Sequence, residues 1–199
     1  MATDVKLAGP DDVPAIARAL GRAFRDDPVF EFLLPDVDVD TRARRATPFF
    51  AVDARIRIRQ ASAWTTPAGE GAALWAAPDQ WRTTVRDGLR MAWPILRGSR
   101  GRSLRALSAM QIVEKEHPKA PHWYLAVLGT DPDHQGKGIG AALMAPALER
   151  CDSQGVPAFL ESSKESNIPY YERYGFRVQR PLTIGKGAPT VWQMWRDPR

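Results

Sequence analysis

Glycines alternate with other residues at positions 135–140, which read Gln-Gly-Lys-Gly-Ile-Gly. Because glycine has no Cβ, backbone N–H groups at such positions can converge on an anion. A helical pattern over residues 140–151 follows directly, so the positive end of a helix dipole adds to the attraction. The pattern predicts a pyrophosphate site, although a glycine-rich turn that merely joins a strand to a helix looks the same.

Two common phosphate-binding loops do not fit this turn. A P-loop requires Ser or Thr directly after Gly-Lys, whereas Gly138 follows Lys137 here. The dinucleotide fingerprint requires the spacing G-x-G-x-x-G and an acidic residue after a second strand, and neither feature is present. Both loops are therefore excluded.

Two motifs resemble those of the GNAT superfamily of acetyltransferases. Residues 135–140 resemble its Gln-x-x-Gly-x-Gly acetyl-CoA signature, and residues 167–176 resemble its Asn…Phe-Tyr-Glu-x-x-Gly-Phe block. The resemblance implies an acetyl-CoA-dependent N-acetyltransferase with an α/β (α+β) fold. That fold is the GNAT fold, with a mixed, mostly antiparallel central sheet, splayed central strands and flanking helices.

The same resemblance assigns residues to the cofactor. It implies that the strand before the turn binds the pantetheine arm through its backbone. Gly129 in that strand indicates either a bulge or a close approach of another segment, or it only relieves local crowding. Asn167 has a second possible role as a helix N-cap. The predicted acetyl-CoA contacts are Leu128, Gly129, Thr130, Gln135, Gly136, Lys137, Gly138, Ile139, Gly140, Asn167 and Tyr174.

Tyr171 occupies the position of the superfamily's tyrosine acid. Acetyl transfer requires a neutral amine, a polarised carbonyl and protonation of the departing thiolate. A phenol with a pKa of about 10 is protonated at neutral pH and can donate to a thiolate whose thiol has a pKa of about 8.5. The alternative for a helical tyrosine is core packing, which Tyr170 and Tyr174 can also supply from one helix face.

Glu161 is the first candidate for the general base, acting directly or through water, because residues 122–130 contain no carboxylate. A strand-end glutamate in solvent or in a salt bridge is the alternative. Three acidic residues in a Pro- and Asp-rich break could instead hold a cationic amine: Asp26, Asp27 and Glu31.

The histidines and the cysteine do not form a predicted metal site. His117 and His122 flank a Pro-rich turn and are predicted to be structural, the three histidines are scattered, and Cys151 lies in the middle of a helix. Arg97, Arg100, Arg102 and Arg105 form an arginine cluster, which could attract a polyanionic cofactor or nucleic acid, or lie in a solvated loop.

Hydrophobic periodicity predicts the elements that position these residues. Pro48 interrupts one helical pattern, and Pro146 predicts a kink in the helix after the turn. No repeat or linker is evident, so residues 1–199 are predicted to be a single domain. The predicted helices span residues 13–24, 41–60, 80–96, 103–116, 140–151 and 167–174, and the strands span 5–8, 62–66, 71–77, 122–130, 157–161, 176–178 and 191–195.

Composition narrows the class of protein. The chain is 44% hydrophobic and 26% charged, as soluble globular proteins are. No apolar run approaches the ~20 residues that span a bilayer, and a single cysteine rules out an internal disulfide framework. We expect a cytoplasmic protein without a membrane or nucleic-acid partner, working as a monomer or homodimer.

The sequence thus predicts acetyl transfer from acetyl-CoA to a primary amine of a small molecule. Residues 131–138 and 155–161 are similar to those of the puromycin N-acetyltransferase branch of the superfamily, which would imply antibiotic resistance, whereas residues 78–120 are less similar. One alternative is a protein or peptide N-acetyltransferase, which would need an open groove. Another is a non-catalytic acyl-CoA-binding sensor.

Overall fold

A computed structural model describes residues 3–82, 84–98 and 103–199 of the chain. The described residues form a seven-stranded sheet in the order β1-β2-β3-β4-β5-β7-β6. Within it β4 and β5 pair in parallel and the other pairs are antiparallel, which confirms the predicted mixed sheet. The strands are β1 Lys6–Leu7, β2 Ala63–Thr65, β3 Gly71–Ala76, β4 Trp123–Thr130, β5 Ala158–Ser162, β6 Arg177–Thr183 and β7 Thr190–Arg196.

Helices cover both faces of this sheet. The alternation of side chains along β3 shows the two faces, because Ala73 and Trp75 lie in one apolar cluster with α6 while Ala72 and Leu74 lie in the other with α1 and α3. The helices are α1 Val13–Ala23, α2 Pro28–Leu33, α3 Val39–Arg59, α4 Val85–Gly98, α5 Ser103–Glu116, α6 Ile139–Gln154 and α7 Ile168–Glu172.

The parallel pair β4 and β5 separates part-way along its length. Both strands continue after their last pair, so backbone groups of β4 beyond Leu125 have no strand partner on the β5 side. This separation confirms the predicted splay of the central strands. The pairs that remain are Trp123–Ala158, Tyr124–Phe159 and Leu125–Leu160.

A bulge in β4 accompanies the separation. The register with β3 shifts between Leu74 and Trp75, which leaves Ala126 as the extra residue. An extra residue bends a strand and increases its twist. Gly129 is therefore not the bulge. A Cβ there would lie 2.8 Å from Cδ2 of Leu20, so this glycine allows the close approach of α1.

Residues 26–40, predicted to be a break, contain α2. Asp27 begins this helix, because one carboxylate oxygen accepts hydrogen bonds from the N–H groups of Val29 and Phe30. Pro28 occupies the first helical turn, where its missing N–H is not needed. Six residues are too few to show a helical period, which is why sequence analysis missed the element.

The two prolines that the sequence analysis singled out lie inside helices that continue past them. Pro48 lies within α3 and Pro146 within α6, as Pro94 does within α4. Phe50 and Leu148, which follow these prolines, are buried, so tertiary packing stabilises both helices where local propensity does not. The kink at Pro146 stays a prediction.

The arginine cluster falls largely outside the described part of the chain. Arg100 and Arg102 are not among the described residues, and the side chains of Arg97 and Arg105 are not described either. The proposed attraction of a polyanion to this cluster therefore stays a prediction.

A buried ion pair lies in α3, where Arg57 Nε donates to Asp53 Oδ1 at 3.1 Å and the two side chains are 4% and 3% exposed. We expect Asp53→Ala to lower the free energy of unfolding by about 3–5 kcal/mol, because it leaves a guanidinium buried without its carboxylate. Urea denaturation measures this loss. Asp11→Ala, at an exposed carboxylate, should change stability by no more than about 0.5 kcal/mol. Equal losses in the two variants would contradict the expectation.

Candidate active site

A cleft of about 740 Å³ opens where β4 and β5 separate. Its walls come from the end of α1, the α1–α2 loop, the glycine turn with the start of α6, the end of β5, and α7. Lys137 does not line it, but the other predicted site residues do. Those residues are Leu128, Gly129, Thr130, Gln135, Gly136, Gly138, Ile139, Gly140, Glu161, Asn167, Tyr171 and Tyr174.

The glycine turn forms an open cradle at one end of this cleft. Gly136 and Gly138 have φ angles of 77° and 79°, and a Cβ at either position would meet nothing within 4 Å. Gly138 is the N-cap of α6 and supplies no side-chain cap, so the first N–H groups of that helix have no side-chain partner there. Open space at a helix N-terminus fits a pyrophosphate.

Three side chains hold the cradle in place. Arg22 of α1 donates to Asp131 Oδ2 at 2.8 Å and to Asp133 Oδ2 at 2.7 Å. Gln135 Nε2 donates to the Thr130 carbonyl at 3.2 Å, and Lys137 Nζ donates to the Asp133 carbonyl at 3.3 Å. Gln135 and Lys137 therefore support the backbone of the turn. Sequence analysis missed Arg22, since nothing local relates it to a turn 109 residues away.

Tyr170 lies against the start of α6. A Cβ on Gly140 would be 2.8 Å from the Tyr170 hydroxyl, which is buried and lacks a hydrogen-bond partner among the described residues. Its ring packs against that of Tyr174 with centroids 5.3 Å apart, as the predicted packing role requires. Burial raises the pKa of the Tyr170 phenol, and the adjacent Tyr174 hydroxyl raises it further.

Tyr171 faces the cleft from α7. Burial raises the pKa of its phenol, and the nearby carboxylate of Asp27 raises it further. The ring packs edge-on against Phe176 with centroids 6.1 Å apart. A phenol with a raised pKa keeps its proton throughout the working pH range, so it can donate a hydrogen bond to a leaving thiolate.

Asp27 begins α2 and also lines the cleft. One carboxylate oxygen caps α2, and the other accepts a hydrogen bond from the Ser163 hydroxyl at the end of β5. Burial raises the pKa of this carboxyl, and the hydrogen bonds from Ser163, Phe30 and Val29 offset part of that increase. The α1–α2 loop is thereby attached to β5 across the cleft.

The other acidic residues of the predicted acceptor loop have different surroundings. Asp26 lines the cleft and pairs with Lys164 Nζ at 2.9 Å. Glu31 does not line the cleft, since it pairs with Arg42 Nη1 at 3.3 Å. Of the three carboxylates that the sequence offered for a cationic amine, Asp26 and Asp27 are therefore in position.

Glu161 is buried, with 8% of its side chain exposed, and both carboxylate oxygens lack hydrogen-bond partners among the described residues. His117 Nδ1 lies 3.7 Å from Oε1. The Tyr124 phenol is also next to this carboxylate: burial, the charge of Glu161 and a hydrogen-bonding interaction with it raise the pKa of Tyr124. A solvent-exposed Glu161 is thus excluded, and a buried carboxylate without hydrogen bonds would gain from a cationic ligand.

The structure places two other residues that the sequence analysis considered. Asn167 is at the N-cap of α7, yet its side chain makes no capping hydrogen bond and instead lines the cleft. His117, predicted to be merely structural, contacts Glu161. His117 and Glu161 are 44 positions apart in the sequence (161 − 117), and no local pattern could have indicated their contact.

Within the described ranges, no three His, Cys, Asp or Glu side chains come together in a way that could hold a metal ion. Cys151 is buried, and burial raises the pKa of its thiol to about 12, so it is not a reactive thiolate. Also within the described part of the chain, no helix combines the length and apolarity that a membrane span requires.

Several proteins with similar sequences are named as acetyltransferases. Residues 92–176 match the model of the acetyltransferase (GNAT) family. An uncharacterized N-acetyltransferase of Schizosaccharomyces pombe is 29% identical over 90% of this chain and 76% of its own length. The glucosamine 6-phosphate N-acetyltransferase of Trypanosoma brucei brucei is 38% identical over 24% of this chain and 33% of its own length.

Solved structures share the fold. A Corynebacterium glutamicum protein, described as histone acetyltransferase HPA2 and related acetyltransferase, aligns with a TM-score of 0.70 and 23% identity over 100% of this chain and 98% of its own. The NatC complex bound to Gag peptide and CoA aligns with a TM-score of 0.52 and 10% identity over the full length of both chains. The fold is the GNAT fold, as predicted.

Residues 92–176 therefore resemble the GNAT family of acetyltransferases, and the chain has the GNAT fold. Among these relatives, the Schizosaccharomyces pombe protein is named as an N-acetyltransferase, and the NatC structure contains CoA and a peptide.

Proposed function

We propose that the protein transfers the acetyl group of acetyl-CoA to a primary amine of a small molecule. The observation that carries this proposal is the cleft at the β4–β5 separation. Its lining includes an open glycine cradle, a protonated phenol and a largely buried carboxylate. Acetyl transfer from acetyl-CoA to an amine would use an anion site, a proton donor and a proton acceptor.

The residues of the cleft fit acetyl-CoA. The cradle of Gly136 and Gly138 would hold the diphosphate, because nothing fills the space above these glycines. The β4 backbone from Leu128 to Thr130, which has no partner on the β5 side, would bind the pantetheine arm. Asn167 and Tyr174 line the same cleft and would contact that arm. Bound there, acetyl-CoA supplies an acetyl group activated as a thioester.

Three side chains would handle charge and protons. Glu161 attracts the acceptor's ammonium and takes one of its protons, which leaves the neutral amine as the nucleophile. Asp27, which also lines the cleft, adds negative charge there. Tyr171 donates a hydrogen bond, and then a proton, to the sulfur as it leaves.

We favour a small-molecule acceptor over a peptide. Val29 and Phe32 of α2 pack against a cluster of Ala109, Ile184 and Val191, so α2 is held in place directly after the Asp27 cap, which lines the cleft. One relative is named for glucosamine 6-phosphate, which is a small molecule, whereas the NatC complex is bound to Gag peptide.

The experiment that tests the proposal is free-thiol release from acetyl-CoA with a panel of acceptors. The panel contains puromycin, an aminoglycoside, a polyamine, an arylalkylamine and a lysine peptide. Puromycin comes first because residues 131–138 and 155–161 resemble those of its acetyltransferases. Release with a small amine but not with the peptide is expected. Tight acetyl-CoA binding without release with any amine would favour the sensor alternative and overturn the proposal.

Glu161→Gln is expected to lower kcat/KM by roughly 10²-fold and to flatten the rise of rate with pH, because an amide cannot accept the ammonium proton. A pH–rate profile of the variant and the parent measures both effects. Glu165→Gln is the matched control, since Glu165 is exposed and does not line the cleft. An unchanged profile for Glu161→Gln would remove this residue as the base.

A further inference from the structure

A buried arginine of α3 connects the segments on either side of α2. The Arg42 side chain is 8% exposed and does not line the cleft. Its Nη1 donates to the Arg25 carbonyl at 2.7 Å, just before α2. Its Nε and Nη2 donate to the carbonyls of Leu34 and Val37, at 3.4 and 3.2 Å, just after α2. One guanidinium therefore bonds to the chain on both sides of a six-residue helix.

A fourth contact of Arg42 reaches α2 itself, because Nη1 also donates to Glu31 Oε1 at 3.3 Å. Four of the five N–H groups of an arginine are thus used on the connection from α1 to α3. A guanidinium suits this position, since its planar fork presents donors in several fixed directions, whereas a lysine ammonium is a single point charge.

The placement of α2 depends on contacts at its two ends. Six residues are too few to form a stable helix through their own hydrogen bonds. Asp27 caps the first turn, and Arg42 Nε donates to the carbonyl of the C-cap, Leu34. A cation at this end also interacts favourably with the helix dipole. Loss of the guanidinium would therefore release the C-terminal end of α2 and leave the Asp27 cap to hold the other.

The bond at 2.7 Å brings Arg42 into contact with the cleft wall, because residues 25–27 all line the cleft. Asp26 in this segment pairs with Lys164 Nζ at 2.9 Å. Asp27 accepts a hydrogen bond from Ser163. The α1–α2 loop is therefore held to the end of β5 by its side chains and to α3 by its backbone.

We infer that Arg42 is a positioning residue for the acceptor amine. The inference rests on the proposed function, in which the carboxylates of the α1–α2 loop supply negative charge to the cleft. Arg42 fixes the backbone that carries Asp26 and Asp27, so it acts on the binding of the amine through them. The glycine cradle has its own supports, among them Arg22 of α1. Acetyl-CoA binding should therefore not depend on Arg42.

The test is Arg42→Met, which keeps a long, unbranched side chain and removes every donor. The acceptor is puromycin, or the panel amine that the parent acetylates fastest if puromycin is not acetylated. We expect KM for this amine to rise roughly 10-fold, while the calorimetric affinity for acetyl-CoA stays within about 2-fold of the parent's. Amide hydrogen exchange should also become faster at residues 25–34 than in the rest of the chain, relative to the parent.

Arg42→Lys is the second variant, in case the methionine variant is unstable. It keeps the charge without the fork, so KM for the amine should still rise. Arg44→Met is the matched control, because Arg44 is exposed on the same helix and donates to Thr41 Oγ1 within it. Its KM for the amine should equal the parent's.

An unchanged KM for the amine in Arg42→Met would overturn the inference. So would a KM fully restored in Arg42→Lys, or a loss of acetyl-CoA affinity as large as the rise in KM for the amine. A parent that releases no thiol with any amine would instead defeat the proposed function, and the positioning role with it. Hydrogen exchange at residues 25–34 would then still show whether Arg42 holds the loop.

Discussion

Tyr171→Phe should bind acetyl-CoA with nearly the affinity of the parent and turn over roughly 10²–10⁴-fold more slowly. The substitution removes one hydroxyl from a ring whose packing against Phe176 is otherwise preserved. The loss therefore falls on the step that needs a proton at sulfur, and kcat decreases while KM for acetyl-CoA does not. Steady-state kinetics together with calorimetric titration of acetyl-CoA separates the two quantities.

Tyr174→Phe is the matched control for this loss. Tyr174 lines the same cleft and is predicted to contact the cofactor, so removing its hydroxyl should act on KM more than on kcat. A Tyr171→Phe enzyme as fast as its parent would show that the thiolate receives its proton elsewhere. Tyr170, whose hydroxyl also lacks a hydrogen-bond partner among the described residues, would then be the next side chain to replace.

Gly138→Val should abolish measurable binding of acetyl-CoA in calorimetric titration. At φ 79° a branched residue is strained by roughly 1–3 kcal/mol, and its side chain would occupy the open space predicted to hold the diphosphate. A second glycine of α6 separates the effect of backbone strain from the effect of filling the ligand site. Gly155, at the other end of α6, is also left-handed, with φ 63°, and a Cβ there would meet nothing within 4 Å.

Gly155→Val therefore carries comparable backbone strain far from the cradle. Both variants should lose similar thermal stability, and only Gly138→Val should lose the ligand. If Gly138→Val retains the affinity of the parent, the diphosphate binds elsewhere. If Gly155→Val also loses binding, the effect belongs to the stability of α6 and not to the cradle.

Local patterns predicted the parts of the site that are contiguous in sequence. The glycines at 136 and 138 have positive φ and open space around them, and both properties can be anticipated from residue type alone. The strand before them and the helix after them have clear hydrophobic periods, so their placement followed. The cradle, the end of β4 and the start of α6 were therefore predictable together.

The rest of the site depends on contacts that no local pattern encodes. The bulge was sought at Gly129 but lies at Ala126, because the register of β3 against β4 decides which residue is extra. Asp27 is the N-cap of α2, and α2 is too short to show a helical period in the sequence, so the cap could not be predicted. His117 meets Glu161 because the segment after α5 folds back over β5, and a contact at such a separation is a property of the assembled sheet.

The Asp27 side chain has two roles. The carboxylate that begins α2 is the same group that adds negative charge to the cleft and raises the pKa of Tyr171. An asparagine there would retain a helix-capping oxygen while removing the charge, whereas an alanine would remove both. Any redesign of acceptor preference at this wall therefore has to change charge through residues that preserve the cap, or accept a loosened α1–α2 loop.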